Sequence, residues 1–210
     1  MSLALVRIDF VSPEEYLVTE SGASRKHEYV GGSVYAMAGA VNRHNRIATN
    51  VLLALGFQLR GRKCEVFNSD TKVRIRLPDQ TRFYYPDAQV VCEAAPEEQT
   101  WQDEPVVIVE VISESTRRTD ELEKREGYLT LDSLEAYVLL EQKSAAATVW
   151  RRRSSGFECV CWTGLDAVIP LPAIDASLSL DEAYRGVDFS PSKEEEIPEQ
   201  LVAPEPPARP

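Results

Sequence analysis

With 210 residues, 43% of them hydrophobic and 27% charged, the chain has the length and balance of a single soluble domain with a sizeable core. No stretch approaches the roughly 20 apolar residues that span a bilayer, and the start Met1-Ser2-Leu3-Ala4-Leu5-Val6-Arg7 lacks the basic leader of a secretory signal, so a cytoplasmic protein is expected. A net charge of −11 counts against nucleic-acid contact spread over the whole surface.

The predicted elements begin at Ser12-Pro13-Glu14-Glu15, where an N-cap serine, a proline at the first position and a capping-box glutamate start a short helix over 13–21. His27-Glu28-Tyr29-Val30 and Ser33-Val34-Tyr35-Ala36-Met37 flank Gly31-Gly32, the pattern of a β-hairpin. A long helix over about 43–60 follows, with Ile47, Val51, Leu55 and Leu59 forming its apolar stripe. Three β-rich segments, 64–68, 71–77 and 83–92, precede a central strand at 106–112. Thr119-Asp120-Glu121 opens a second helix with two acids at its positive end. Strands are expected at 136–141, 148–152, 157–162 and 167–169, and a helical turn at 180–185. The pattern is α/β or α+β with a mixed sheet.

Residues 1–189 read as one domain. From Ser190 the chain carries six prolines and Lys193 and Arg209 against Glu194, Glu195, Glu196, Glu199 and Glu205, a composition that reads as a flexible tail over 190–210. The body stays acidic without it. Its basic clusters, Arg43/Arg46, Arg60/Arg62/Lys63, Arg117/Arg118 and Arg151/Arg152/Arg153, read first as solvated surface. Cys64, Cys92, Cys159 and Cys161 show no C-x-x-C spacing and have only His27 and His44 to assist them, so reduced, partly buried thiols are expected and a zinc site is not.

The chemistry concentrates in Val106-Val107-Ile108-Val109-Glu110-Val111-Ile112 and Tyr84-Tyr85-Pro86-Asp87. A carboxylate in a strand that is apolar on both faces must be paired, protonated or metal-bound. Side chains alternate along a strand, so Asp87 and Glu110 converge if their strands are neighbours. Hard oxygen ligands completed by waters suit Mg²⁺, which polarises a phosphate and acidifies an attacking water. Glu28 is a further ligand or an orienter of one. The plainer readings are a turn aspartate at Asp87 and a strand-exit glutamate accepting N–H groups from Ser113-Glu114-Ser115.

Asp120, Lys124 and Tyr128 recur every four residues and line one helix face. Lys124 there could offset carboxylate charge and stabilise a transition state, so its loss is expected to lower activity with little effect on stability. The plainer alternative is a surface i,i+4 pair worth about 0.2–0.5 kcal/mol. His44 and Asn45, at the start of the long helix, could touch a phosphate, with capping or packing as the simpler role.

From about Tyr16 to Phe189 the chain resembles the restriction endonuclease family, formerly a domain of unknown function, of the PD-(D/E)XK nuclease superfamily. The resemblance rests on the segments from His27 to Gly32, Met37-Ala38-Gly39 with His44, Ser69 to Ile75, Tyr84 to Asp87, Val109 to Ser113 with Ser115-Thr116, and the Asp120/Lys124/Tyr128 ladder. It implies a restriction-endonuclease-like core, a central mixed sheet flanked by helices, and hydrolysis of DNA by a homodimer using Mg²⁺, with Mn²⁺ as a substitute. It makes Asp87, Glu110 and Glu28 metal ligands and, with Lys124, the catalytic set. The superfamily lysine two residues after the second acid is Ile112 here, which cannot do lysine's electrostatic work. Lys124 is the first candidate to replace it and Lys72 the second. The alternative is a catalytically degenerate protein acting as a metal- or nucleic-acid-binding module or a dimeric scaffold.

Overall fold

Ser12 and Glu15 cap the first helix reciprocally. The Ser12 Oγ accepts from the Glu15 N–H at 3.2 Å, and Glu15 Oε2 accepts from the Ser12 N–H at 2.9 Å, which starts α1 (Pro13–Ser21) where the sequence places it. The computed structural model describes residues 10–113 and 117–190. The tail read from the sequence therefore lies, beyond Ser190, outside the described residues, as do Glu114, Ser115 and Thr116.

β1 (His27–Val30) and β2 (Ser33–Ala36) form the hairpin, with Gly31 at φ 53° and Gly32 at φ 101° supplying the left-handed turn. α2 (Asn42–Leu59) buries the predicted stripe Ile47, Val51, Leu55 and Leu59. β3 (Glu65–Asn68) and β4 (Lys72–Arg76) follow. The segment expected as one strand over 83–92 is two, β5 (Thr81–Tyr84) and β6 (Ala88–Val91), which lie in different sheets. Pro86, which has no N–H for a ladder bond, sits at the crossing.

β7 (Trp101–Gln102) and the central β8 (Pro105–Ile112) come next. The second helix begins as a π-helical turn, Thr119–Lys124, and runs into α3 (Arg125–Tyr128). The remainder is β9 (Ala136–Glu141), β10 (Ala146–Arg153), β11 (Gly156–Thr163), β12 (Val168–Leu171), a 3₁₀ turn at Pro172–Ile174, β13 (Ala176–Ser179) and α4 (Leu180–Ala183).

Two mixed sheets carry the fold. The larger has the order β11-β10-β9-β8-β6-β3, with β8 and β9 parallel, and the smaller has the order β2-β1-β5-β4-β7, with β4 and β7 parallel. β12 and β13 form a separate ladder. Along β8 the side chains alternate between two cores. Val107, Val109 and Val111 pack with the α2 stripe, whereas Ile108 and Ile112 pack with Tyr128, Tyr137 and Leu139 and with Val73, Ile75 and Tyr84 of the smaller sheet. Glu110 belongs to the second set, so its carboxylate points into the layer between the sheets.

The cysteine expectation needs correcting. Cys64 and Cys92 form a disulfide. They adjoin the paired residues Glu65 and Val91 of β3 and β6, so a register that spacing does not reveal brings them together. Cys159 and Cys161 are free, but exposed on β11 rather than partly buried. No helix of the described residues is long and apolar enough to cross a membrane. The basic clusters are largely committed to local contacts: Arg117 grips Glu141 through two nitrogens, Arg152 caps the Leu131 and Leu134 carbonyls, and Arg46 holds the Gly186 carbonyl.

Candidate active site

β6 and β8 are antiparallel neighbours with Ala88 opposite Val109 and Gln89 opposite Ile108. That register continues to place Asp87 opposite Glu110, the convergence the alternation requires. Asp87 is fixed from two sides. Its Oδ2 accepts the Val111 N–H at 2.7 Å, and its Oδ1 lies 2.8 Å from His44 Nε2 on the first turn of α2. His44 therefore orients an acid instead of capping its helix, and Asp87 is tied to the central strand instead of closing a local turn.

Glu110 meets the second helix, while the N–H groups of Glu114 and Ser115 that the strand-exit reading invokes lie outside the described residues. Its Oε1 receives Lys124 Nζ at 3.2 Å and the Tyr128 hydroxyl at 3.2 Å. Lys124 also lies 2.9 Å from Glu28 Oε1 and 3.3 Å from Asp120 Oδ1. Glu28 Oε1 accepts the Tyr85 N–H at 3.3 Å as well. The side chains of Lys124, Glu110 and Asp120 are only 7%, 5% and 4% exposed, so the surface-pair reading of the Asp120/Lys124 spacing fails. The π-helical turn carries Asp120 and Lys124 inward on one face, a local departure from α geometry of the kind found at functional sites.

Burial drives the Glu110 carboxyl well above the ordinary carboxylate range; Lys124 pulls it back, while Asp120, Asp87 and Glu28 push it further up. For Lys124, burial disfavours the charge, but Glu110, Glu28 and Asp120 outweigh it and hold the ammonium well above its usual value. Burial also raises the hydroxyls of Tyr128 and Tyr137, which remain protonated donors. Tyr137 gives its hydrogen to the Asp120 carbonyl at 3.0 Å and so secures the π-helical turn.

Lys72 belongs to an adjoining network and not to this cluster. Its Nζ meets the Tyr85 hydroxyl at 3.3 Å, and that hydroxyl donates to Glu20 Oε1 at 3.0 Å. The second candidate for the missing cation is therefore placed away from Glu110, while Lys124 makes the contact directly. Sequence reasoning missed three contributors. The Val111 and Tyr85 backbone N–H groups leave no residue-type signal, and Tyr137 shows only as a tyrosine in an apolar strand.

The donor types are those a hard divalent cation takes. Asp87, Glu110, Glu28 and Asp120 supply only oxygen donors, and their joint negative charge exceeds what the Lys124 ammonium balances. Among the described residues no group of three or more His, Cys, Asp and Glu side chains is placed to hold a metal ion.

Two mixed sheets with an acid cluster at the central strand define a restriction-endonuclease-like architecture. A solved structure from Anabaena variabilis, described as a "putative nuclease belonging to DUF820", superposes with a TM-score of 0.66 at 16% identity, covering 81% of this chain and 96% of that one. The chain belongs to the Uma2 family, "Putative restriction endonuclease", whose model matches residues 13–181. It is similar to two Synechocystis sp. proteins. "Uncharacterized protein slr1290" is 31% identical over 180 residues, 85% of this chain and 94% of the relative, and "Uncharacterized protein sll1609" is 32% identical over 131 residues, 61% and 73% respectively.

Proposed function

We propose that the protein is a Mg²⁺-dependent, homodimeric deoxyribonuclease that hydrolyses phosphodiester bonds at the Asp87–Glu110–Lys124 cluster, with Mn²⁺ able to replace Mg²⁺. The observation that carries this reading is the buried Lys124 ammonium in contact with Glu110, Glu28 and Asp120, which supplies from the helix the cation that Ile112 cannot supply from the strand. Asp87 and Glu110 would hold the ion, with Glu28 as a third oxygen donor. When bound, a divalent ion polarises the scissile phosphate and lowers the pKa of a coordinated water.

The chain's own groups do the rest. The Val111 N–H and His44 fix the rotamer of Asp87, and Tyr128 fixes that of Glu110. Lys124 places positive charge in a desolvated site where the phosphate gains negative charge in the transition state, and there such charge counts for more than it does in water.

The raised Glu110 carboxyl gives a signed pH dependence. Ion binding needs the carboxylate, so Mg²⁺ affinity is expected to strengthen as pH rises through the elevated Glu110 pKa, with proton release on binding. Calorimetric titrations in buffers of different ionisation enthalpy check this, and an affinity independent of pH would contradict it.

The activity is tested by incubating supercoiled, linear duplex and single-stranded DNA with the protein in Mg²⁺ or Mn²⁺, beside Asp87→Ala and Glu110→Ala. Cleavage by the wild type alone is expected. Cleavage that persists in both variants would remove the site assignment. A wild type that neither cuts DNA nor binds a divalent ion would make the degenerate binding module or scaffold the correct reading.

A further inference from the structure

We propose that Lys72 and Lys26, set against one tyrosine ring beside the acid cluster, form a second phosphate-binding subsite, which takes a backbone phosphate of the substrate strand next to the one that is cut. The identity of that strand rests on the nuclease reading above, whereas the subsite itself rests on the packing of Lys72. A buried charge is stable only when it is paired and hydrogen-bonded. Lys72 is 4% exposed, yet among the described residues no carboxylate lies within ion-pairing distance of its ammonium, which makes a single hydrogen bond, to the Tyr85 hydroxyl at 3.3 Å.

The acid of the same layer is already engaged. Glu20 accepts from the Tyr85 hydroxyl at 3.0 Å and from the His27 N–H at 2.8 Å, and it lies 3.0 Å from His27 Nδ1. Burial pulls the Lys72 ammonium below the ordinary lysine pKa; Glu20 opposes that shift and Lys26 adds to it. Lys124, by contrast, touches three carboxylates. An anion is what Lys72 lacks and Lys124 already has.

The strand ends place this cation beside the acids. β5 is antiparallel to both β1 and β4, with Phe83 opposite Tyr29 and Tyr84 opposite Val73. Continued to Tyr85, that register sets it between His27 and Lys72, while Glu28 of β1 points to the other face of the sheet. The Tyr85 ring carries Lys72 Nζ at 5.0 Å and Lys26 Nζ at 5.4 Å from its centroid, and its N–H donates to Glu28 Oε1. A strand whose scissile phosphate sits at Asp87 and Glu110 therefore brings its neighbouring phosphate toward this end of β1, β4 and β5. Lys26 is the open side. Its side chain is 38% exposed and is held by Asp70 at 2.6 Å and by the Ser69 carbonyl at 2.7 Å. Asp70 is 73% exposed, so that pair is worth little in water and a phosphate displaces it at small cost. Such a contact fixes the strand's position without reading its bases.

The test follows the fluorescence anisotropy of an end-labelled single-stranded oligonucleotide with the full chain in EDTA, so that no cleavage intervenes, across a series of salt concentrations. Lys72→Met should weaken binding and reduce the slope of log affinity against log salt by about 0.7, one phosphate contact on a single strand. Lys72→Arg should keep the wild-type slope, and Asp70→Asn should tighten binding. The Tm of Lys72→Met should be no lower than that of the wild type, because the substitution removes a buried charge that no carboxylate balances. Equal binding and slope in wild type and Lys72→Met, weaker binding by Asp70→Asn, or a lowered Tm for Lys72→Met would each overturn the subsite and leave the nuclease reading standing. Inorganic phosphate, titrated by calorimetry, separates the two sources of the group. A wild type that binds phosphate but no oligonucleotide, with phosphate binding lost in Lys72→Met, would keep the subsite, give it free phosphate as its ligand and remove the nuclease reading. Binding of neither would overturn the subsite.

Discussion

Lys124→Met should destabilise the protein by about 3–5 kcal/mol, because it removes the buried cation from Glu28 and Asp120, leaves their charges uncompensated and takes a hydrogen bond from Glu110. Urea unfolding at neutral pH measures the loss. Added Mg²⁺ should recover part of it, since an ion that binds only the folded state stabilises it by mass action. This corrects the expectation from sequence that the substitution would lower activity and leave stability nearly unchanged. That expectation placed Lys124 at the acids without foreseeing its burial, and the π-helical turn buries it. Activity should fall as well, and a variant as stable as the wild type would mean that the three acids are held by something other than Lys124.

Glu110→Gln should act in the opposite sense on stability. A group whose folded-state pKa is raised above its unfolded value contributes stability that is fully present below the unfolded pKa and is lost as pH rises through the folded one. Glutamine imitates the neutral form at every pH and still accepts from Tyr128 and Lys124. The variant is therefore expected to be at least as stable as the wild type, with an advantage that widens as pH rises. Cleavage should nevertheless fall by about 10²–10³-fold, the scale of losing one preorganised electrostatic group. Thermal melts across pH, set beside single-turnover cleavage, would show stability and activity moving in opposite directions. Such a trade is expected where a site is arranged for a ligand more than for the fold's own stability.

Much of this site is legible in the sequence because strand alternation is strict. A single carboxylate within Val106–Ile112 has to face one of two apolar layers, and a second at Asp87 meets it once β6 and β8 are neighbours. The four-residue spacing of Asp120, Lys124 and Tyr128 likewise puts them on one face, and all three are buried. What spacing cannot say is which way that face turns, and this is why a surface pair and a buried cluster looked alike. Sheet membership is hidden for the same reason: 83–92 has the composition of one strand, and only the change of direction at Pro86-Asp87 assigns its halves to different sheets. The Cys64–Cys92 bond depends on the β3/β6 register, which no local pattern encodes. His44 carried no metal-site spacing, and its role follows only from the docking of α2 against the strand end that holds Asp87.

The central claim is that the acids around Lys124 form a divalent-cation site. Titrating Mg²⁺ into the wild type and into Glu110→Gln at one slightly alkaline pH, followed by calorimetry, tests it most directly. The account predicts saturable binding with proton release in the wild type and a severe loss of both in the variant. Equal binding in the two proteins, or none in the wild type, would contradict it.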